Sequence, residues 1–144
     1  MQTNSTSIPK VIGHRGAAGH APENTLASIK KAHDLGVDWV EFDTKITEDG
    51  AAIVFHDDKL KRIIGVRGEV AKTELKDIQT FEIGAWFGEV LAGERVPTLD
   101  HAIQVLADRG MGTTSEIHRT PGFATKRGGP AQRVAQEPAP NNRP

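Results

Sequence analysis

Short apolar segments alternate with segments of helical period between Val11 and Ile117, and few folds accommodate that order. The order is strand–helix–strand–strand–loop–helix–strand, with helices between most strands, which predicts an α/β protein with parallel strand pairing. The predicted strands cover residues 11–14, 37–44, 52–56 and 111–117. Helices are predicted to begin at Asn24 or Thr25, at Thr73, and at Pro97–Thr98, and Gly36 and Gly110 end the first and last of them.

The composition predicts one soluble, globular domain. The chain has 144 residues, of which 37% are apolar and 26% are charged. The 18 basic and 19 acidic residues give a net charge of −1, which argues against a nucleic acid or anionic membrane partner bound through bulk positive charge. The absence of cysteine excludes disulfides, zinc–thiolate sites and a thiol nucleophile. Neither a signal peptide nor a membrane-spanning segment is visible, so we expect a cytoplasmic protein.

The last 26 residues differ from the rest of the chain. Residues 119–144 hold five of the eight prolines and carry a net charge of +4, whereas residues 1–118 carry −5. So few sizeable apolar side chains cannot offset the entropy of ordering, and we predict a disordered tail over 119–144. The remaining chain divides into an extension over 1–9 and a folded unit over 10–118, within which residues 57–96 are the least regular.

Ionisable residues close each of the four predicted strands. In chain order they are His14 and Arg15, Glu41 and Asp43, His56 and Asp57, and Glu116. In parallel α/β sheets and barrels, ligands bind at the carboxyl ends of the strands. The sequence therefore predicts a functional site at this end of the sheet.

Three carboxylates among these residues predict a metal site. Glu41 and Asp43 lie two apart on one strand, so both point to the same side, and like charges that close are costly unless a cation or proton lies between them. With Glu116 they offer three hard oxygen ligands, which suit Mg²⁺, Mn²⁺ or Ca²⁺ rather than zinc. The alternative is that Glu41 and Asp43 face solvent on an edge strand.

The remaining strand-end residues predict acid–base and phosphate chemistry. His14 and His56 could supply an acid and a base near neutral pH, although each is also common as an ordinary polar group at a strand end. Arg15 offers a planar fork that fits a phosphate, although a single arginine is more often a surface charge.

Four segments together resemble the glycerophosphodiester phosphodiesterase family. They are GHRGAAGHAPENTLASI, GVDWVEFDTKITEDG, IVFHDDKLKR and VPTLDHAI, and the resemblance runs from about Val11 to Thr120. It implies a TIM-barrel type of fold, that of the PLC-like phosphodiesterases. The barrel would be incomplete, with about the first four strands and a small insertion over 57–96.

The resemblance also implies a reaction and a role for each residue. The roles are metal ligands for Glu41, Asp43 and Glu116, acid and base for His14 and His56, phosphate contact for Arg15, and loop support for Glu23 and Asn24. The expected cofactor is a divalent cation, Mg²⁺ or Ca²⁺, and the expected substrate is a glycerophosphodiester. Hydrolysis of the glycerophosphodiester would give glycerol 3-phosphate and an alcohol, which is a step of glycerophospholipid metabolism. The glycerol hydroxyl would attack first and form a cyclic phosphate, which water would then open.

Two departures from the family pattern leave an alternative open. His118 stands where the family has lysine, and the chain is short for a whole barrel of roughly 250 residues. We therefore expect a truncated member that self-associates through open barrel edges. The alternative is a catalytically incompetent remnant or phosphate-binding module. A phospholipase D-like toxin fold shares the two histidines and the carboxylate pair but fits poorly with a chain that lacks cysteine.

Overall fold

A computed structural model describes residues 9–117 and 133–136 of the chain, which form an open α/β sheet with helices packed against it. Strands β1 to β5 span Gly13–His14, Trp39–Ile46, Ala52–Val54, Gly112–Ile117 and Arg133–Gln136. Helices α1 to α4 span Leu26–Asp34, Lys61–Ile64, Leu75–Ile78 and Leu99–Asp108. The sheet order is β1-β2-β4-β5, and β3 also pairs with β2. Strands β1, β2 and β4 are parallel, which confirms the predicted α/β class.

Strand β2 is the centre of the sheet. Its edges pair with β1, where Gly13 lies opposite Val40, and with β4, where Asp43 lies opposite Glu116. Val40 and Phe42 are fully buried in the core. Because side chains alternate along a strand, Glu41 and Asp43 project from the opposite face.

The strand predicted over 52–56 forms over Ala52–Val54, but the expected parallel pairing was wrong for it, because β3 runs antiparallel to β2, with Thr44 opposite Val54. A tight turn with Gly50 at φ +81° reverses the chain after β2, so the two strands form a hairpin rather than a crossover unit. The described part of the sheet therefore holds three parallel strands rather than about four. Beyond β3, Phe55 donates its N–H to the Asp43 carbonyl at 2.9 Å, which returns the chain to the region where β1 ends.

Helices α1 and α4 cover one face of the sheet and enclose the first core cluster. Thr25 caps α1 in a capping box with Ser28, and Thr98 caps α4, as predicted for both starts. Their apolar faces meet the sheet in one group: Ile29, Ala32, Val40, Phe42, Val54, Ala102, Val105, Leu106 and Met111.

Residues 57–96 pack around a second core cluster. Its buried members are Ile53, Phe55, Leu60, Val70, Ile78, Ile83 and Val96. The helix predicted from Thr73 was wrong at its start, because α3 begins after Glu74 and Thr73 instead ends a 3₁₀ turn over Val70–Lys72. The reason is local: the Thr73 hydroxyl donates to the Glu69 carbonyl at 2.7 Å and is not used as a helix cap.

Strand β5 lies within residues 119–144, for which the sequence predicts a disordered tail. Residues 133–136 pair antiparallel with β4, with Glu116 opposite Arg133. The β4 edge presents unpaired backbone N–H and C=O groups, and these can order a segment that has little apolar content of its own. The predictions for 1–8, for 118–132 with His118, and for 137–144 lie outside the described residues. No helix within the described ranges has the length and apolar character needed to cross a membrane.

The turn after β1 generates a prediction about stability. A Cβ built on Gly13 would lie 2.6 Å from the Gly16 carbonyl oxygen, and a backbone atom cannot move aside cheaply. We expect Gly13→Ala to lower the free energy of unfolding by about 1–3 kcal/mol, the usual cost of overpacking, as measured by urea denaturation. The control is Gly19→Ala in the loop after β1, where a Cβ meets nothing within 4 Å. Equal stability of the two variants would contradict the tight turn.

Candidate active site

The structure brings the three predicted carboxylates together on the paired parallel strands β2 and β4. One oxygen from each of Glu41, Asp43 and Glu116 lies within 4.8 Å of the others. Asp43 is buried, and Glu41 and Glu116 are half-buried. Burial raises the pKa of Glu41, and the negative charges of Asp43 and Glu116 raise it further, against a lowering hydrogen bond from the Arg15 N–H.

This carboxylate cluster has the donor chemistry of a hard-cation site. All three groups offer oxygen, and carboxylate oxygen is the ligand type that Mg²⁺ and Ca²⁺ prefer. Each charge raises the cost of ionising its neighbours, and a bound cation would remove that cost. The cluster therefore fits the predicted divalent ion, which Glu41, Asp43 and Glu116 would hold.

The loop after β1 holds Asp43 from two directions. The Asn24 side chain donates to Asp43 Oδ2 at 3.1 Å and accepts the Asp43 backbone N–H at 3.3 Å. Arg15 Nε lies 3.2 Å from the same Oδ2 as an ion pair. Among the described residues, Arg15 and Asn24 are the non-glycine residues with positive φ, at +54° and +55°. Such backbone strain persists only where surrounding contacts fix the conformation. Here those contacts include the ones that Arg15 and Asn24 make with Asp43.

The two predicted histidines lie in different surroundings. His14 is exposed, and its Nε2 is 3.8 Å from Glu41 Oε2. His56 has its Nδ1 2.7 Å from Asp57 Oδ1. The pKa of Asp57 is lowered to about 2, first by a hydrogen bond from Arg62, so Asp57 is ionised and can only accept. His56 Nδ1 is therefore the donor in this contact.

A continuous series of ionic hydrogen bonds links Arg15 to His56. Arg15 Nη1 donates to Glu23 at 2.6 Å, Arg62 binds both Glu23 and Asp57, and Asp57 binds His56. We call this series of five residues the ion-pair chain. Burial raises the pKa of Glu23, but the Arg62 hydrogen bond and the two arginine charges outweigh it, and the pKa is lowered.

Sequence reasoning missed Arg62. It noted Glu23 as loop support and Asp57 as a strand-end group, without their ionic partners. The available signal was the segment FHDDKLKR, in which Asp57 directly follows His56 and Arg62 ends the segment.

An open cavity borders the ion-pair chain. It has a volume of about 470 Å³, and its walls include Glu23, Arg62, Ile63, Glu82 and Trp86. All but Glu23 come from residues 57–96. This part of the chain therefore forms one side of the space beside the predicted site.

The family comparison identifies the group of proteins that this chain resembles. Residues 14–127 match the model of the Glycerophosphoryl diester phosphodiesterase family. The matched range contains all six predicted site residues. A glycerophosphodiester phosphodiesterase of Caldanaerobacter subterraneus is 39% identical over 107 residues, which are 74% of this chain and 44% of that protein. One from Bacillus subtilis is 37% identical over 100 residues, covering 64% of this chain and 34% of that protein.

Solved structures show the same relationship. An Oleispira antarctica phosphodiesterase, in complex with the product sn-glycerol-3-phosphate, has a TM-score of 0.74 and 42% identity over 77% of this chain and 45% of its own. A glycerophosphodiester phosphodiesterase of Agrobacterium tumefaciens has a TM-score of 0.71 and 35% identity over 76% of this chain and 47% of its own. The chain thus spans less than half the length of these relatives.

The ionised Asp57 generates a prediction about pH. Its folded-state pKa of about 2 lies below the ordinary 3.8, so the unfolded chain binds more protons between these values. The contribution of Asp57 to stability is therefore complete above pH 3.8 and is lost as the pH falls toward 2. We expect Asp57→Asn to destabilise the protein near neutral pH, and the difference to shrink as the pH falls below about 4.

Urea unfolding at a series of pH values measures this difference wherever both proteins fold. The control is Asp100→Asn, at an exposed aspartate on α4, for which a smaller difference is expected. A difference that does not change with pH would contradict the pairing of Asp57.

Proposed function

Because the chain belongs to the glycerophosphoryl diester phosphodiesterase family, we propose that it forms a site that hydrolyses glycerophosphodiesters to glycerol 3-phosphate and an alcohol. The observation that carries the proposal is the convergence of Glu41, Asp43 and Glu116 beside Arg15 on the parallel strands β2 and β4. The complex of the Oleispira protein with sn-glycerol-3-phosphate supports the product. We propose that the open sheet is part of a TIM-barrel type of fold, with residues 57–96 as its insertion.

The carboxylate cluster is the proposed cation site. Glu41, Asp43 and Glu116 would hold Mg²⁺ or Ca²⁺, and the bound ion would offset negative charge on the phosphoryl oxygens. The ligands come from β2 and β4, two strands joined in register, so their spacing is fixed by backbone pairing rather than by a mobile loop.

Arg15 is the proposed phosphate ligand. Its Nε is a buried donor without a hydrogen-bond acceptor among the described residues, although it lies close to Asp43. An unsatisfied buried donor is costly, and a phosphate oxygen would satisfy it. Glu23 binds Nη1 of the same guanidinium at 2.6 Å and so limits its rotation. The planar fork is well suited to a phosphate.

His14 and His56 are the proposed proton-transfer groups. One removes the proton from the attacking hydroxyl, and the other protonates the departing alkoxide. With Nδ1–H donated to Asp57, His56 accepts or returns its proton at Nε2. The exposed His14 lies beside Glu41, within the carboxylate cluster's surroundings. The cavity next to Glu23 and Arg62 provides space for the alcohol moiety of the diester.

The alternative is a phosphate-binding module without turnover. Val11 and Ile12, next to the outer edge of β1, are 62% and 39% exposed, and we propose self-association through this edge. Light scattering would detect the self-association.

The deciding experiment measures release of glycerol 3-phosphate from glycerophosphocholine by the 144-residue chain, with added Mg²⁺ or Ca²⁺. Cation-dependent release supports the proposed reaction. Saturable binding of inorganic phosphate without release of glycerol 3-phosphate supports the phosphate-binding module. If the chain shows neither release nor phosphate binding, both hypotheses are rejected.

The cation site is tested by substitution of its buried ligand. We expect Asp43→Asn to weaken Mg²⁺ or Ca²⁺ binding by roughly tenfold or more, because it removes one of three charged ligands. Isothermal titration calorimetry measures the change. The matched control is Asp38→Asn, at an exposed aspartate that directly precedes the first residue of β2. Equal affinity in the parent and in Asp43→Asn would exclude this site.

The histidine roles are tested by turnover. We expect His14→Ala and His56→Ala each to lower kcat by roughly 10²-fold or more, the scale for removal of a general acid or base. His33→Ala, on α1, is the control and should leave kcat unchanged. If both site variants stay within a few-fold of the parent, the two histidines do not transfer protons.

A further inference from the structure

We propose that Arg62 is a positioning residue that holds Arg15 and His56 in one fixed arrangement, acting on each through a carboxylate. The inference rests on the proposed function, in which Arg15 binds phosphate and His56 moves a proton. Arg62 donates hydrogen bonds to Glu23 and Asp57, which in turn bind Arg15 and His56. It occupies the middle of the ion-pair chain, between Glu23 and Asp57.

The contact with Asp57 is bidentate. Arg62 Nε donates to Asp57 Oδ2 at 2.8 Å, and Nη2 donates to Oδ1 at 3.0 Å. Two parallel bonds fix the plane of the carboxylate as well as its position. Since Asp57 Oδ1 also accepts from His56 Nδ1, fixing that plane fixes the direction in which the imidazole Nε2 points.

The contact with Glu23 uses the other edge of the same guanidinium. Nη1 donates to Glu23 Oε1 at 2.5 Å, and Nη2 donates to Oε2 at 3.1 Å. Arg15 Nη1 reaches that Oε2 at 2.6 Å, so the Glu23 carboxylate lies between two guanidinium groups. Displacement of Arg62 would remove two hydrogen bonds from the Glu23 carboxylate, and Glu23 would then restrain the Arg15 guanidinium less.

Residues 57–96 anchor Arg62 through the second core cluster. Arg62 lies on α2, a single turn that ends at Gly65 with φ +85°. Its neighbours Leu60, Ile63 and Ile64 pack into that cluster, and Leu60 is 3% exposed. The arginine therefore projects from a backbone segment held by apolar burial, while its own side chain is 48% exposed.

A solvated surface ion pair is the competing explanation. Isolated exposed pairs contribute little, because water screens them and two long side chains lose entropy. Arg62 differs because three of its nitrogens donate four hydrogen bonds to two carboxylates that are 16% and 22% exposed. A lysine ammonium cannot reproduce two bidentate contacts at once.

The first test is a set of variants measured by steady-state kinetics. We expect Arg62→Gln to lower kcat by roughly tenfold or more, the scale of losing charge-assisted hydrogen bonds that orient a reacting group, and Arg62→Lys to recover only part of it. Added guanidinium ion should partly rescue Arg62→Gln. Arg67→Gln removes the same charge from an exposed position nearby and should leave kcat unchanged.

A double-mutant cycle separates positioning from general stability. The effects of Glu23→Gln and Asp57→Asn on kcat should be non-additive when Arg62 is present, because either substitution breaks the same ion-pair chain. In the Arg62→Gln background this coupling should disappear. Full additivity in the parent, or coupling that persists without Arg62, would overturn the proposal.

The second test does not depend on turnover. Hydrogen exchange of the Arg15 Nε–H is followed by NMR, with the signal identified by its absence in Arg15→Lys. We expect exchange to be roughly tenfold faster in Arg62→Gln and Arg62→Lys, and unchanged in Arg67→Gln. An unchanged rate in both Arg62 variants overturns the proposal. If the parent releases no glycerol 3-phosphate, the proposed function fails, while the exchange rate still decides whether Arg62 holds Arg15.

Discussion

The period of two along β2 is the constraint from which the site follows. Burial of Val40 and Phe42 in the core fixes which face of the strand points inward, and the alternating positions Glu41 and Asp43 must then project together from the other face. A shift of the strand by one residue would place the Glu41 and Asp43 carboxylates in the core. The free-energy cost of burying two charges there would exceed what burial of apolar side chains contributes. The same packing that stabilises the sheet therefore forces two negative charges side by side, and the register with β4 adds Glu116 as the third.

The charges around this cluster are organised as alternating signs rather than as isolated pairs. Arg15 lies next to Asp43 and Glu23, and Arg62 lies between Glu23 and Asp57. Such alternation limits the motion of each side chain by two neighbours at once. The positive φ of Arg15 and Asn24 fits the same principle, because the backbone strain is held by contacts that also orient Asp43.

Local pattern was enough to select the residues of the candidate site, because His14, Arg15, Glu41, Asp43, His56 and Glu116 all lie near the ends of predicted strands. The direction of β3 could not be read from its own residues, since an apolar run looks alike in a parallel and an antiparallel strand, although the turn at Glu48-Asp49-Gly50 carried the signal for a hairpin. Arg62 was missed because its partner Glu23 lies on a distant segment. Strand β5 was missed because it is ordered by the edge of β4 rather than by its own composition.

The hairpin of β2 and β3 has a consequence for the order in which the site assembles. Glu41, Asp43 and His56 lie on one short segment, and closing a short loop costs little chain entropy. The contact of Glu116 with these residues has a high sequence separation, because most of the second core cluster and α4 lie between them in the chain. Glu116 therefore joins the site only after these parts have folded. We therefore expect a nascent chain to form the histidine side of the site early and to gain its third carboxylate late. The carboxylate cluster therefore comes together late in the folding of this segment and does not nucleate it.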